Sequence, residues 1–165
     1  MSTARTFIQE EIPKALDRID ENSEARFGIM TPQHMVEHLG ALFYLGRKEI
    51  GLPCVTPEDK LPEVRAFLNT DEAFWKNFKA VGVPKEGLMD LRFPNLDEAK
   101  SKLLSAMGAF YKFHEENPGT EILHPVFGKI GFEAWERFHY KHCIHHLQQF
   151  GGLTEDYPIE AHTNI

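Results

Sequence analysis

Two cysteines, Cys54 and Cys143, are all that 165 residues contain. One lies in a Pro-rich loop and the other in a His-rich segment, so no disulfide framework holds this chain together, and a reducing cytoplasm is the expected location. Basic runs are missing as well. With 18 Lys and Arg against 25 Asp and Glu, a net charge of −7 and a pI near 5.7, the chain offers no patch for phosphate backbones or anionic bilayers. Neither nucleic acid nor a membrane is expected as a partner. No stretch approaches the roughly 20 apolar residues of a membrane span. Glu10 and Glu11 interrupt the start before an apolar run could form, and neither a signal nor an anchor is expected. Internal repeats, low-complexity tracts and strong strand alternation are also absent. Met89 to Phe93 is the best short extended candidate.

What remains is 42% hydrophobic, enough to bury one core of ordinary size, so residues 1–165 read as one domain. Helical periodicity dominates in four segments. The first runs from about Thr3 to Glu21, with Pro13 a kink or late start. The second opens at Thr31-Pro32, a capping residue followed by a proline suited to the first turn, and runs to about Glu49. The third runs from Asn95 or Asp97 to Glu116, and the fourth from Phe132 to Phe150. Gly51 to Asn95 forms a 45-residue crossover, within which Leu61 to Asn69 and Asp71 to Phe78 resemble one- or two-turn helices. The expected fold is all-α: a four-helix bundle with a long crossover between helices two and three.

The chemistry concentrates in the fourth helix, where His139, His142, His145 and His146 occupy eight residues. At about 100° per residue, Trp135, His142, His146 and Phe150 share the inward face while Lys141, Ile144 and Gln148 lie opposite. A buried imidazole is costly unless both ring nitrogens are satisfied, and an i, i+4 spacing aims two rings at one point. His38, on the buried face of the second helix, adds a third. Taken alone it would read as a hydrogen-bonded core residue. Converging with the pair, it makes a three-nitrogen site with open positions, suited to a divalent metal such as Zn, Ni or Fe. His145, at the edge of the same face, is placed to move a proton or to hydrogen-bond a ligand, ahead of serving as a fourth ligand itself. Gln149, one turn on, is placed to hold a ligand ring or a bound water. His34, near the helix start, either lines the mouth of the same cavity or is an ordinary exposed residue, His139 is expected to be structural, and Cys143 to be a packed thiol. Glu37 falls on a solvated or inter-helix side, unless it holds an imidazole. His124-Pro-Val-Phe-Gly128 reads as a shaped turn that either is structural or lines the pocket.

Three strings taken together carry a family resemblance: Gln33-His-Met-Val-Glu-His38-Leu, His124-Pro-Val-Phe-Gly128, and His139-Tyr-Lys-His142-Cys-Ile-His145-His146-Leu-Gln-Gln-Phe-Gly151. They resemble the DinB/YfiT-like superfamily of metalloenzymes, in a branch of unknown function. The resemblance implies a helical bundle and a metal held by one histidine of the second helix and two of the fourth, which match His38, His142 and His146. Its characterised relatives include thiol-dependent transferases and isomerases, but nothing in this sequence marks a thiol-cofactor pocket. The expected function is a metal-dependent hydrolase or thiol-dependent transferase acting on a small molecule, with His145 as the catalytic proton carrier. The alternative is a non-catalytic metal- or ligand-binding stress or accessory protein. Ile144 and Tyr140, placed on the face opposite the metal, suggest a homodimer.

Overall fold

A computed structural model describes residues 2–47, 52–76 and 87–162. Near the N-terminus, one proline reshapes the helix. Ser2 caps α1 (Thr3–Thr6) by accepting the backbone N–H of Arg5 at 3.0 Å. A π-helical turn (Phe7–Glu11) follows, then α2 (Ile12–Leu16). Pro13 has no N–H to return to the carbonyl of Gln9, and just before it the backbone N–H of Ile12 reaches Phe7, one residue farther than α geometry. This helical stretch ends at Leu16 rather than near Glu21.

Helix α3 (Pro32–Leu45) begins as expected, with Thr31 Oγ1 accepting the His34 N–H at 3.3 Å. Its expected end at Glu49 and the start of the crossover at Gly51 lie outside the described residues. Within the crossover a 3₁₀ turn (Glu58–Lys60) leads into α4 (Leu61–Ala66) and a second 3₁₀ turn (Phe67–Asn69), as the sequence predicts. Asp71 to Trp75 is not helical, and Phe78 lies outside the described residues. Met89 to Phe93 forms no strand. Asn95 caps α5 (Leu96–Glu116), its Oδ1 accepting the Glu98 N–H at 2.9 Å.

Between α5 and the last helix, α6 (Phe132–Gln149), the chain departs from an all-α bundle. Strands β1 (Ile122–His124) and β2 (Gly128–Ile130) pair antiparallel, with Ile122 opposite Ile130 and His124 opposite Gly128. The fold is therefore helical with a two-stranded sheet, and the all-α expectation is corrected. Three-residue strands are too short to show alternation in sequence. The shaped turn at His124 to Gly128 is the hairpin's loop, three residues closed by Gly128 at φ 71°. A side chain at 128 would also meet Arg65 Nη2 at 2.9 Å. Arg65 clamps the hairpin by donating to the carbonyls of Phe127 (2.8 Å) and Lys129 (3.1 Å). His124 is structural: its Nδ1 accepts the backbone N–H groups of Val126 (3.0 Å) and Phe127 (3.3 Å), and its ring packs on Trp135 and Phe138.

Helix α6 is central and is covered on every side. It packs against α1, the π turn, α2, α3 and the turn at Phe67–Asn69. The residues placed opposite the histidines are not outside: Lys141 and Ile144 are both 0% exposed and Tyr140 is buried. The face that suggested a homodimer is thus filled within the chain. Burial of the Lys141 ammonium is tolerated because Nζ donates to the Phe67 carbonyl and to the Thr70 carbonyl and hydroxyl, over the Phe67 ring. Arg137, also buried, donates to the carbonyls of Leu68, Thr70 and Glu160. These two cations fix the crossover and the C-terminal segment to α6.

A layer of histidines outside the metal-ligand set makes the fold acid-sensitive. Burial pushes His124 down to about 3 and, with help from His124 and His114, holds His139 well below the usual range. A histidine with a depressed folded pKa takes up its proton in the unfolded chain first, so stability is full above the unfolded value near 6.5 and falls as pH drops toward the folded value. For His124 alone the loss is about 2 kcal/mol between pH 7 and pH 5. In urea titrations with chelator present, the wild-type midpoint should fall over that interval, and His124→Phe should be less stable at pH 7 but show a shallower acid slope. Equal slopes would contradict this assignment.

Candidate metal centre

Helix α3 supplies His38 and α6 supplies His142 and His146. The Nε2 atoms of His38 and His142 are 3.2 Å apart, and those of His146 and His142 are 3.1 Å apart. Among the described residues these three form the one group of His, Cys, Asp or Glu whose ligand atoms gather this closely, all within 4.8 Å. His142 and His146 are buried and His38, on α3, is partly exposed. Phe138 stacks on His142 and Phe74 meets it edge-on.

The hydrogen bonds fix which nitrogens face inward. Gln149 donates from Nε2 to the Phe27 carbonyl at 2.7 Å, which turns its Oε1 toward His146 Nδ1 at 2.8 Å. That ring nitrogen must donate, which leaves the Nε2 lone pair of His146 aimed at the cluster. His142 Nε2 lies between two neighbours, and only one of those contacts can be a linear hydrogen bond between neutral rings. His142 Nδ1 is buried with no hydrogen-bond partner. Without an ion, at least one of these ring nitrogens is left without a linear hydrogen bond, at a cost of about 1–3 kcal/mol per unsatisfied group. A cation at about 2.0–2.1 Å from each nitrogen, in tetrahedral geometry, would hold the nitrogens about 3.3 Å apart. The observed spacings are close to that. The residues present therefore fit a divalent metal, and a three-histidine group able to hold one is what the structure brings together.

Burial also sets protonation. It pushes His38 down to about 4, with further lowering from His145 and Arg92, and holds His142 and His146 well below the usual range, aided by repulsion among the neighbouring histidines. Near neutral pH all three are free bases, the form that ligates.

The other candidates separate clearly. His145 is outside the ligand group. Its ring is 4.9 Å from His146 and 5.0 Å from Phe27, centre to centre, and burial pushes it down to about 4 against the opposing effect of a hydrogen bond to the Phe74 backbone. His34 is turned away, held by the Thr31 hydroxyl (2.6 Å) and the Met89 carbonyl (2.9 Å). His139 stacks on Phe43 in the core and is structural. Cys143 is buried, with its thiol pushed up by burial. Glu37 holds no imidazole. Its carboxylate accepts the N–H groups of Arg92 (2.8 Å) and Phe93 (3.2 Å) and is joined by Gln33 at 3.1 Å, pinning the end of the crossover to α3 beside His38. Sequence reasoning missed this pin, for the carboxylate's partners lie 55 residues away. It also missed the segment at Phe27-Gly28, where Gly28 has φ 75° and a Cβ would approach Gln149 Nε2 to 3.0 Å.

Gln149 is the positioning residue most directly open to test. Gln149→Leu should weaken zinc binding by about 10- to 100-fold, measured by competition with a chromogenic chelator. Unchanged affinity would mean that the His146 ring is oriented by packing alone.

Residues 93–152, which span α5, the hairpin and α6, match a family described as "Protein of unknown function (DUF1569)". The match includes His142, His146 and Gln149 but not His38. No curated protein and no solved structure matches the chain.

Proposed function

We propose that the protein is a metal-dependent enzyme acting on a small molecule, as a hydrolase or a thiol-dependent transferase, with His38, His142 and His146 as ligands. The observation that carries this reading is the convergence of three histidines, with His142 Nε2 3.2 Å from that of His38 and 3.1 Å from that of His146, His142 and His146 being buried and His38 partly exposed. Closed structural sites carry four protein ligands, whereas catalytic sites leave a position for substrate. When bound, the ion supplies Lewis-acid polarisation and acidifies a coordinated nucleophile. The motif resemblance to the DinB/YfiT-like superfamily supports the same ligand set.

The protein's own groups divide the remaining work. Gln149 and the Phe27 carbonyl hold His146 in the ligating tautomer. Phe74 and Phe138 keep water from the inner side of His142. His145, neutral near pH 7 because burial lowers its pKa to about 4, acts as a base, taking a proton on the ring nitrogen not engaged by Phe74. Zinc, nickel and iron all suit three imidazoles.

One observation favours the rival reading, a non-catalytic metal- or ligand-binding protein: among the described residues no carboxylate joins the cluster. The two readings separate by experiment. Elemental analysis should find about one divalent ion per chain in the wild type and only traces in His142→Ala and His146→Ala; metal retained at full stoichiometry in both would refute the site. With a panel of esters, amides and thiol acceptors, His145→Gln should keep its metal and lose about 100-fold or more in turnover. A metal-loaded wild type that turns over none of the panel would favour the binding protein.

A further inference from the structure

A cavity of about 420 Å³ lies at the start of α6, the end remote from the metal centre. Phe132 stands ten residues before His142, about 15 Å along the helix. His114 of α5 lines the cavity together with Gly131, Phe132, Glu133 and Ala134. A volume of this size holds a small organic molecule.

Two features of the wall call for a ligand. The first is the start of α6, which no side chain caps among the described residues. Trp135 is the first residue whose N–H turns back into the helix, to the Gly131 carbonyl at 3.1 Å. The N–H groups of Phe132, Glu133 and Ala134 therefore point out of the helix end, where they need an acceptor. The second is His114, only 6% exposed. Its Nε2 donates to the Gly46 carbonyl at 2.7 Å, which leaves the lone pair on Nδ1. That Nδ1 makes no hydrogen bond among the described residues, yet it is not one of the sealed, unpaired side-chain atoms; it is open to the cavity. Burial lowers the pKa of the ring and keeps it neutral.

Charge narrows the chemistry. Arg5 is answered by Glu115 at 2.8 Å. The Glu133 carboxylate, in the first turn of α6, stands beside the helix end and repels a second anion, while the outward N–H dipoles oppose a cation. What fits is an uncharged group with an acceptor and a donor side by side. A hydroxyl carries both on one atom. A carboxamide holds them on two atoms in one plane, a carbonyl oxygen for the N–H groups and an N–H for the imidazole. Phe132 and Pro118 supply the apolar part of the wall.

We propose that this cavity binds a small uncharged carboxamide, its carbonyl oxygen on the N–H groups that open α6, its own N–H on His114 Nδ1, and its apolar body against Phe132 and Pro118. The site is separate from the metal centre and does not depend on it.

Nitrogen-15 NMR of the whole protein, with chelator present and benzamide as the probe, tests this directly. The backbone resonances of Phe132, Glu133 and Ala134 and the Nδ1 resonance of His114 should move together, with a Kd of about 1–10 mM. Binding should be at least about tenfold tighter than for benzoate, for benzylamine, or for acetophenone, which has the carbonyl but no N–H to offer. Gly131 probes the helix end independently. Its φ is −82° and ψ −177°, and a Cβ there meets nothing within 4 Å, so a serine fits and its hydroxyl can accept the free N–H groups itself. Gly131→Ser should keep or slightly raise the Tm and weaken benzamide at least about fivefold. No movement of these resonances at tens of millimolar benzamide would refute the site. Equal binding of acetophenone would remove His114 from it, tighter binding of benzoate or benzylamine would overturn the choice of an uncharged ligand, and undiminished benzamide affinity in Gly131→Ser would overturn the role of the helix end.

Discussion

Three imidazole nitrogens aimed at one point in a protein interior repel one another unless something positive lies between them. The rest of the structure follows from keeping that arrangement in place. His142 and His146 are a turn apart on one helix, and that helix is held from every direction, which fixes the direction of each ring more strictly than a surface helix could. The central position of α6 forces Lys141, which the helical wheel places opposite the histidines, into the interior together with Arg137. There they become the bolts that hold the crossover, donating to carbonyls of the Phe67–Thr70 turn.

The same logic governs the rim. Phe74 is brought over His142 by the segment that Lys141 and Arg137 anchor, and Phe93 with its neighbours is tied to α3 by Glu37, one residue from His38. On the far side, Arg26 donates its backbone N–H to the Gln149 carbonyl at 2.9 Å and Phe27 accepts from the Gln149 side chain. Three separate stretches of chain without long helices therefore meet around the open face, each fixed by a polar group that satisfies several partners at once. This is the pattern expected where loops carry function on a rigid scaffold.

Much of this was legible in the sequence because it rests on local periodicity. His38, His142 and His146 share inward faces at helical spacing, the start of α3 follows from Thr31 and Pro32, and α5 keeps close to the expected span from Asn95 or Asp97 to Glu116. The Leu61–Asn69 turns and the role of Gln149 followed in the same way. What the sequence hid depends on contacts distant in the chain. The hairpin at Ile122–Ile130 is too short to alternate, and its stability comes from Arg65 and His124 rather than from strand propensity. Ile144 reads as an exposed apolar residue only while α6 is taken for a surface helix; α1, α2 and the π turn cover that side. Glu37 looks solvated because its partners, Arg92 and Phe93, lie across the crossover.

The central claim is that the three histidines share one ion through their Nε2 atoms. X-ray absorption at the zinc edge of the zinc-loaded protein near pH 7.5 tests it most directly. The account predicts three imidazoles at about 2.0 Å, recognised by their multiple-scattering pattern, together with one or two oxygen neighbours. A sulfur neighbour near 2.3 Å, which would bring in Cys143 or Cys54, or a shell with fewer than three imidazoles, would contradict it.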